Sequence, residues 1–316
     1  MKIALDAMGG DFAPKSVIEG AILASPELEA GSEIILIGPE DVLAAQMATY
    51  PPIPANIRVV HAPQVIEMGE HPMKALPSKP KSSISVGYAL LRKGEVDAFC
   101  SAGNTGAMLV GAVFSVKLEA VARPAITSYV PKLEGGHSIM LDVGANTDCK
   151  PETLLQFAEL GTIFYRNIFG VEAPRVALIN LGEEPGKGNL HAQAAFKLLQ
   201  AQSHLHFVGN VEGRDLFYNK ADILVCDGFV GNVIIKMAES YYEILKNKGF
   251  TDAFFDNFNY EAIGGSPVLG IDANVIIAHG ISNAATIKNV IRLAQQMIRA
   301  DLKGKMKEAL SNGNQA

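Results

Sequence analysis

The chain has 316 residues, 27 Lys and Arg against 33 Asp and Glu, a net charge of −6, and 48% hydrophobic residues. That apolar fraction is ample for a sizeable core, and a charged fraction of 19% excludes a disordered chain. With no basic excess to release phosphate counterions, no nucleic-acid partner is expected.

In chain order, short apolar runs predict strands over Lys2–Ala7, Glu33–Gly38 and Ile57–Ala62, then a helix over Ser83–Arg92. A strand over Ala98–Ser101 leads into a helix over Thr105–Val116, and strands over Ala125–Val130 and Ser138–Val143 precede a helix over Glu152–Phe169. A strand over Arg175–Leu181 and a helix over His191–Ala201 come next, then strands over Leu205–Gly209 and Ile223–Cys226. A helix over Val233–Lys246, a strand over Asn274–Ala278 and a helix over Ser282–Leu310 complete the pattern. Several of these strands are apolar at every position, as parallel strands covered on both faces are. The alternation predicts a doubly wound, Rossmann-like α/β/α sandwich. A single α/β domain over residues 1–310 is expected, with a polar tail at 311–316 and a helical projection at about 235–262.

Cys100, Cys149 and Cys226 are an odd number with no close spacing, which fits neither a disulfide framework nor a zinc site. The start Met1-Lys2-Ile3-Ala4-Leu5-Asp6 meets a carboxylate at once, so a cytoplasmic chain without a signal peptide is expected. Seven of the 22 Phe and Tyr residues fall between Tyr241 and Tyr260, and Phe250, Phe254, Phe255 and Phe258 share a helical face. That concentration predicts contact with core, a dimer partner or a membrane surface. The last helix carries Lys288, Arg292, Arg299, Lys303, Lys305 and Lys307 against Asp301 and Glu308, ordinarily a solvated face.

Ligands of open α/β sheets bind beyond the carboxyl ends of the strands, so the segments following the strands carry the functional argument. Six of them join Gly to Asp, Asn, Lys or His: Asp6–Pro14, Ser101–Gly106, Asp142–Asp148, Asn180–Asn189, Cys226–Asn232 and His279–Asn283. Glycine lets backbone approach a ligand closely, and free N–H groups at helix starts favour anions. Lys187 adds a positive charge on a mobile stem. Together the six predict a site for an anionic ligand.

The common alternatives fail on spacing. Gly182 to Lys187 has three residues between its glycines and Gly188 where a P-loop needs Ser or Thr. No Gly-x-Gly-x-x-Gly follows a strand and no Gly-x-Ser-x-Gly elbow exists, so neither a dinucleotide cofactor nor a serine nucleophile is indicated. His137 and Asp142 satisfy a His-x4-Asp spacing, but five residues apart on a strand they would face opposite sides of the sheet. No metal and no cofactor are expected. Anion-binding loops, a lysine and several amides suit a reaction whose nucleophile is the bound anion, such as phosphate attacking a thioester carbonyl.

Five strings in order then resemble one family. Ala4-Leu5-Asp6-Ala7-Met8-Gly9-Gly10-Asp11, Ser101-Ala102-Gly103-Asn104-Thr105-Gly106-Ala107 and Leu141-Asp142-Val143-Gly144-Ala145-Asn146 are similar to the bacterial acyl-carrier-protein:phosphate acyltransferases of phospholipid synthesis. So are Gly182-Glu183-Glu184-Pro185-Gly186-Lys187-Gly188 and Val225-Cys226-Asp227-Gly228-Phe229-Val230-Gly231-Asn232-Val233. The resemblance runs from Met1 to about Arg299. It implies reversible transfer of a long-chain acyl group from acyl-carrier-protein to inorganic phosphate, on a fold akin to phosphotransacetylases. It also implies a homodimer lying peripherally on the membrane and passing acyl phosphate to the membrane glycerol-3-phosphate acyltransferase. Lys187 and Asn232 match the positions implied to act on phosphate and thioester. Asp6, Gly10, Gly103, Asn104, Thr105, Gly106, Asp142, Asn146, Gly186, Asp227 and His279 match the implied pocket. Two departures stand out: Ala75–Lys81 is less basic than the family pattern, and Ile281 occupies a position where Ser is common. The basic last helix (Lys288, Arg292, Arg299) is a candidate face for the acidic carrier protein. A phosphotransacetylase-type enzyme using a coenzyme A thioester, and a non-catalytic phosphate- or acyl-binding regulator, are the competing expectations.

Overall fold

The computed structural model describes residues 1–250, 252, 254 and 264–313, with side chains to residue 310. Its first elements are β1 (Lys2–Asp6), α1 (Lys15–Ala24), β2 (Glu33–Gly38), α2 (Glu40–Met47), β3 (Ile57–His61), α3 (Pro72–Ser78), α4 (Ser83–Arg92), β4 (Ala98–Ser101) and α5 (Thr105–Val116). Next come β5 (Ala125–Pro131), β6 (His137–Leu141), α6 (Pro151–Phe169), β7 (Arg175–Ile179), α7 (Leu190–Gln200), β8 (His206–Val211), β9 (Ile223–Val225) and α8 (Gly228–Asn247). The chain continues with β10 (Ser266–Leu269), β11 (Asn274–Ile277), α9 (Ala284–Arg299) and α10 (Leu302–Gly313). They form two compact units, Met1–Leu118 with Tyr260–Gly304, and Glu119–Asn259 with Lys305–Ala316.

In the first unit the strand order is β3-β2-β1-β4-β11-β10, parallel throughout except where β10 runs against β11. Ile3, Ala4 and Leu5 of β1 are all buried. Successive strand residues point to opposite faces, so this burial requires cover on both sides. One cover is α4, against β1, β2 and β4; another is α9, which lies on β4 and β11 and packs on α1. That last contact is close because residue 20 is glycine: a Cβ there would lie 2.5 Å from the Ile287 Cβ.

In the second unit the order is β5-β6-β9-β7-β8. The β6, β9, β7 and β8 pairings are parallel, while β5 and β6 form an antiparallel hairpin turned at Gly135 and Gly136, both at positive φ. Its core joins Val130, Met140, Ala177, Val211, Leu224 and Cys226. The long α6 buries Leu154, Phe157, Leu160 and Phe164 and ends on Gly170 in the left-handed conformation.

The doubly wound α/β expectation holds in both units, with local corrections. The short helices α1, α2 and α3 and the strand β10 lie in segments without a clear periodic pattern. Helix α8 starts at Gly228, five residues before the predicted Val233, because Asp227 caps it and its Gly-rich first turn is helical. The predicted helix Ser282–Leu310 is broken into α9 and α10 at Asp301, whose φ is 46°. Asp tolerates that conformation better than most residues, and apolar periodicity on both sides concealed the break. Of the predicted aromatic projection, Phe255, Phe258 and Tyr260 lie outside the described residues, as does the end of the polar tail at 314–316.

Candidate functional site

In the first unit, β1, β4 and β11 lie side by side and parallel, so their carboxyl ends form one edge. The loops leaving that edge are bonded to one another. Asp6 is buried and accepts hydrogen bonds from the Ser101 hydroxyl at 2.7 Å and the Met8 N–H at 3.1 Å. The Ser101 oxygen in turn accepts from the Gly103 N–H at 2.9 Å. Burial pushes the Asp6 carboxyl above the usual carboxylate range, and these hydrogen bonds oppose the shift. Gly9 sits so close that a Cβ there would lie 2.6 Å from the Gly103 nitrogen. Gly10 adopts φ 101°, and the next N–H, that of Asp11, donates to the Gly280 carbonyl at 2.7 Å, beside His279. His279 is half-buried and its Nδ1 accepts from the Ile281 N–H at 3.5 Å.

Asn104 caps α5, its Oδ1 accepting from the Ala107 N–H at 2.9 Å. Its Nδ2 donates to the carbonyls of Glu67, Met68 and Glu70 at 3.0, 3.1 and 2.9 Å. The Asn104 side chain is therefore committed to holding residues 67–70 against the helix start. What this loop offers to a ligand is the first turn of α5, Thr105 and Gly106, whose amides have no acceptor within the helix. Thr105 is exposed and Gly106 half-buried.

The second unit repeats this arrangement. Asp142 directly follows β6 and is fully buried. Its Oδ1 accepts from the Ile126 N–H at 2.9 Å, and Oδ2 accepts from the Asn146 N–H at 2.5 Å and Nδ2 at 2.9 Å. Asn146 Nδ2 also donates to the Pro124 carbonyl at 2.8 Å, and the Asn146 carbonyl accepts from the Gly228 N–H at 2.7 Å. Burial raises the Asp142 carboxyl against those hydrogen bonds. Gly231 admits the Asp142 carbonyl, which a Cβ there would strike, so the first turn of α8 packs directly on this loop. Asp227 caps α8, its Oδ1 accepting from the Val230 N–H at 2.8 Å. Asn232 is exposed, with its amide beside Gly144, a glycine at φ 90°.

Lys187 lies in the loop between β7 and α7, exposed, with Nζ 3.9 Å from a Glu184 oxygen. Three side chains fix this loop. Asn180 Nδ2 donates to the Lys187 carbonyl at 3.1 Å, Asn210 Nδ2 to the Glu184 carbonyl at 3.0 Å, and Gln193 Nε2 to the Gly188 carbonyl at 3.0 Å. Gly186 has open space where a side chain would be. A cleft of about 330 Å³ opens here, lined by Asn180, Gly188, Asn189 and His191 on one side and by Cys226, Asp227 and Val230 on the other. Of that lining, Gly188 adjoins Lys187 and Val230 lies two residues before Asn232 in α8.

The predicted site residues thus divide by role within each unit. Asp6, Asn104, Asp142, Asn146 and Asp227 spend their side chains on holding loops and helix starts. Lys187, Asn232 and the first-turn amides of Thr105 and Gly106 are the groups not spent on scaffolding. Ser101, Asn180, Gln193 and Asn210 complete the scaffolding and were not singled out by sequence. Ser101 and Asp6 are 95 positions apart, so nothing local marks the pair. His137 and Asp142 lie at opposite ends of β6.

Cys100, Cys149 and Cys226 are all buried and free. Burial pushes the Cys149 thiol up to about 12 and raises those of Cys100 and Cys226 well above the ordinary thiol range. None is poised as a nucleophile. Among the described residues no group of three His, Cys, Asp or Glu could hold a metal ion, and no helix is long and apolar enough to cross a membrane. The basic face of α9 is matched by acids: Lys288 and Arg292 pair with Glu27 at 2.6 and 2.7 Å, and Arg299 with Glu29 at 2.7 Å. Helix α8, by contrast, exposes Phe229, Val233, Met237, Tyr241 and Ile244 at helical spacing. Phe254, in the predicted aromatic face, instead packs edge-to-face on Phe217 with centroids 6.0 Å apart.

Residues 1–305 match the family of fatty acid synthesis proteins. A phosphate acyltransferase of Salinibacter ruber is 41% identical, the match covering 99% of this chain and 98% of that one. One from Dictyoglomus thermophilum is 41% identical over 98% of both chains, and one from Syntrophomonas wolfei 42% identical over 93% of this chain and 94% of the relative. Among solved structures, the EutD phosphotransacetylase of Staphylococcus aureus superposes with a TM-score of 0.61 at 17% identity over 94% of each chain. A branched-chain phosphotransacylase of Enterococcus faecalis gives 0.63 at 15% identity, over 94% of this chain and 99% of that one. These structures share the fold.

Proposed function

Since this chain belongs to the fatty acid synthesis protein family and is an enzyme of the phosphate acyltransferase kind, we propose that it transfers a long-chain fatty acyl group from acyl-carrier-protein to inorganic phosphate. A phosphate oxygen attacks the thioester carbonyl carbon, the carbonyl electron pair moves to oxygen, and the tetrahedral adduct collapses with loss of the carrier thiolate. The products are acyl phosphate and the free carrier thiol once the thiolate takes a proton. The observation that carries this reading is the division of roles: the buried Asp and Asn side chains are consumed by scaffolding, whereas Lys187 and Asn232 are exposed, on the two elements whose neighbouring residues Gly188 and Val230 line one cleft. Lys187 supplies charge for the phosphate, and the Asn232 amide donates to the developing oxyanion. No protein nucleophile is required, which agrees with three thiols kept protonated by burial.

In the second unit Gly186 leaves the loop of Lys187 open to the phosphate; in the first unit the amides at the start of α5, Thr105 and Gly106, are a separate group that favours an anion. Asp6, Asn104, Asp142, Asn146 and Asp227 are positioning residues. The product serves phosphatidic acid synthesis through the membrane glycerol-3-phosphate acyltransferase, and the enzyme works in the cytoplasm as a homodimer in peripheral contact with the membrane. Support for such contacts comes from the exposed apolar stripe of α8. The pairing of α9 with Glu27 and Glu29 leaves that helix little free positive charge for an acidic carrier.

The test is phosphate-dependent loss of palmitoyl thioester, with the product identified by mass spectrometry and the carrier-protein and coenzyme A donors compared. Lys187→Ala and Asn232→Ala are each expected to lower turnover by about 100-fold, the scale of losing one charge-stabilising group. Full activity in both variants would overturn the assignment of roles. Preference for the coenzyme A donor would favour a phosphotransacetylase-type reaction, and thioester binding without turnover a regulator.

A further inference from the structure

Resting on the acyl-transfer reading, we propose that Arg123, two residues before β5, is a second phosphate-binding cation and works with Lys187 at the cleft of the second unit. Arg123, Lys187 and every residue lining that cleft belong to this one unit.

The cleft needs more positive charge than Lys187 brings. Its lining includes Asp148 and Asp227, and the Lys187 Nζ already faces a Glu184 oxygen at 3.9 Å. An inorganic phosphate at neutral pH would meet a negative balance there. Three helix starts soften it: Cys149 and Leu154 flank the start of α6, Asn189 caps α7 and Asp227 caps α8, and all four residues line the cleft. Helix starts favour anions, but each carries only part of a charge.

Arg123 is placed to supply a whole one. Its Nη1 donates to the carbonyl of the lining residue Asp148 at 3.4 Å. Its charge also reaches the next lining residue: burial raises the Cys149 thiol, Asp142 and Asp227 raise it further, and Arg123 lowers it. The backbone on both sides of Arg123 is clamped. Gln156 of α6 accepts from the Ala122 N–H at 3.0 Å and donates to the Ala120 carbonyl at 3.0 Å, while the Pro124 carbonyl takes the Asn146 Nδ2 at 2.8 Å. Arg123 itself is exposed and, among the described residues, pairs with no carboxylate. The Asp148 carboxylate lies instead 3.9 Å from His191 Nδ1. A planar fork on a fixed stem, with no counter-charge of its own, suits two-point binding of a phosphate. Arg123 then holds two oxygens that do not react, Lys187 a third, and the fourth attacks the thioester carbon.

The experiment measures KM for inorganic phosphate and for palmitoyl carrier-protein in the full chain and in Arg123→Gln, Arg123→Lys and Lys150→Gln. Lys150 is exposed next to Cys149, so its variant removes one charge near the cleft without touching the proposed contact. Arg123→Gln is expected to raise the phosphate KM about 30-fold, the scale of one charge-assisted contact, and to leave the donor KM within about two-fold. Arg123→Lys keeps the charge but loses the fork, so its phosphate KM should rise about five-fold, and that of Lys150→Gln should stay within about two-fold. An unchanged phosphate KM in Arg123→Gln, a rise in the donor KM alone, an equal rise for both substrates, or an equal effect of Lys150→Gln would overturn the proposal. Where Arg123→Gln fails to fold, Arg123→Lys decides, and an unchanged phosphate KM in it would overturn the proposal. Should the unaltered protein form no acyl phosphate, the acyl-transfer reading fails. The role of Arg123 is then read separately by calorimetric titration with inorganic phosphate: weaker binding by about 30-fold in Arg123→Gln supports it, and equal affinity, or no binding by the unaltered protein, overturns it.

Discussion

Asn146 grips the Asp142 carboxylate twice, through its backbone N–H at 2.5 Å and its Nδ2 at 2.9 Å, both on the same oxygen. The other carboxylate oxygen takes the Ile126 N–H, so one buried side chain ties β5 and the loop after β6 together. Because the Asn146 carbonyl also receives the Gly228 N–H, the start of α8 is set by the same bonds. Lys187 and Asn232 depend on such loops for their positions, although neither touches Asp142 in this way.

Asp142→Ala strands three donors in a dry environment. Leaving buried donors unmatched costs about 1–3 kcal/mol each, partly offset by removing a carboxylate that burial disfavours. The expected outcome is a loss of about 3 kcal/mol in urea unfolding. An unchanged midpoint would show that water replaces the carboxylate.

A second prediction concerns Asp222, which faces Lys132 at 2.7 Å and Arg175 at 3.0 Å with both Asp222 and Lys132 nearly buried. Burial pushes its carboxyl up, but hydrogen bonds from Arg175 and Lys132 outweigh this and hold it far below the usual range. A depressed folded value means the stabilisation is complete above the ordinary carboxylate pKa of about 4 and is lost as pH falls through the folded one. Asp222→Asn should cost about 3–5 kcal/mol at neutral pH by leaving Lys132 without its counter-charge. Its stability should then vary less than that of the parent chain below about pH 4. Parallel acid-unfolding curves would contradict the sign of this linkage.

The thiols give a third test. With all three buried and their pKa values raised, native protein should react with a disulfide reagent far more slowly than denatured protein. Acyl-phosphate synthesis should survive brief alkylation. Rapid inactivation traced to Cys149 or Cys226 would bring a covalent mechanism back into consideration.

The aromatic segment predicts differently from structure than from sequence alone. Phe254 packs on Phe217, so Phe254→Asp would disturb the unit itself. Tyr241 and Ile244 are 59% and 48% exposed, and changes there act on whatever covers α8. Tyr241→Asp with Ile244→Asp should leave the unfolding temperature within a few degrees. It should reduce either liposome flotation or the dimer fraction in sedimentation, and no change in either would remove the interface from this face.

The sequence by itself determined the layer type and the main strands, and it marked the Gly-, Asn- and Asp-rich loops that follow them. These rest on local signals: continuous apolar runs such as Ile34–Ile37, and Gly, Asn and Asp clustered just past strand ends. It could not tell scaffold from working group. Asp6, Asn104, Asp142 and Lys187 look equally reactive as letters, and only tertiary structure buries the first three against partners that lie up to 95 positions away. Nor could sequence find β10, the break at Asp301 or the pairing of α9 with Glu27. These features depend on which segments pack together, and local periodicity carries no record of that. The net charge of −6 excluded a broadly basic surface; the fold further matches much of the basic run in α9 with acids from the other end of the chain.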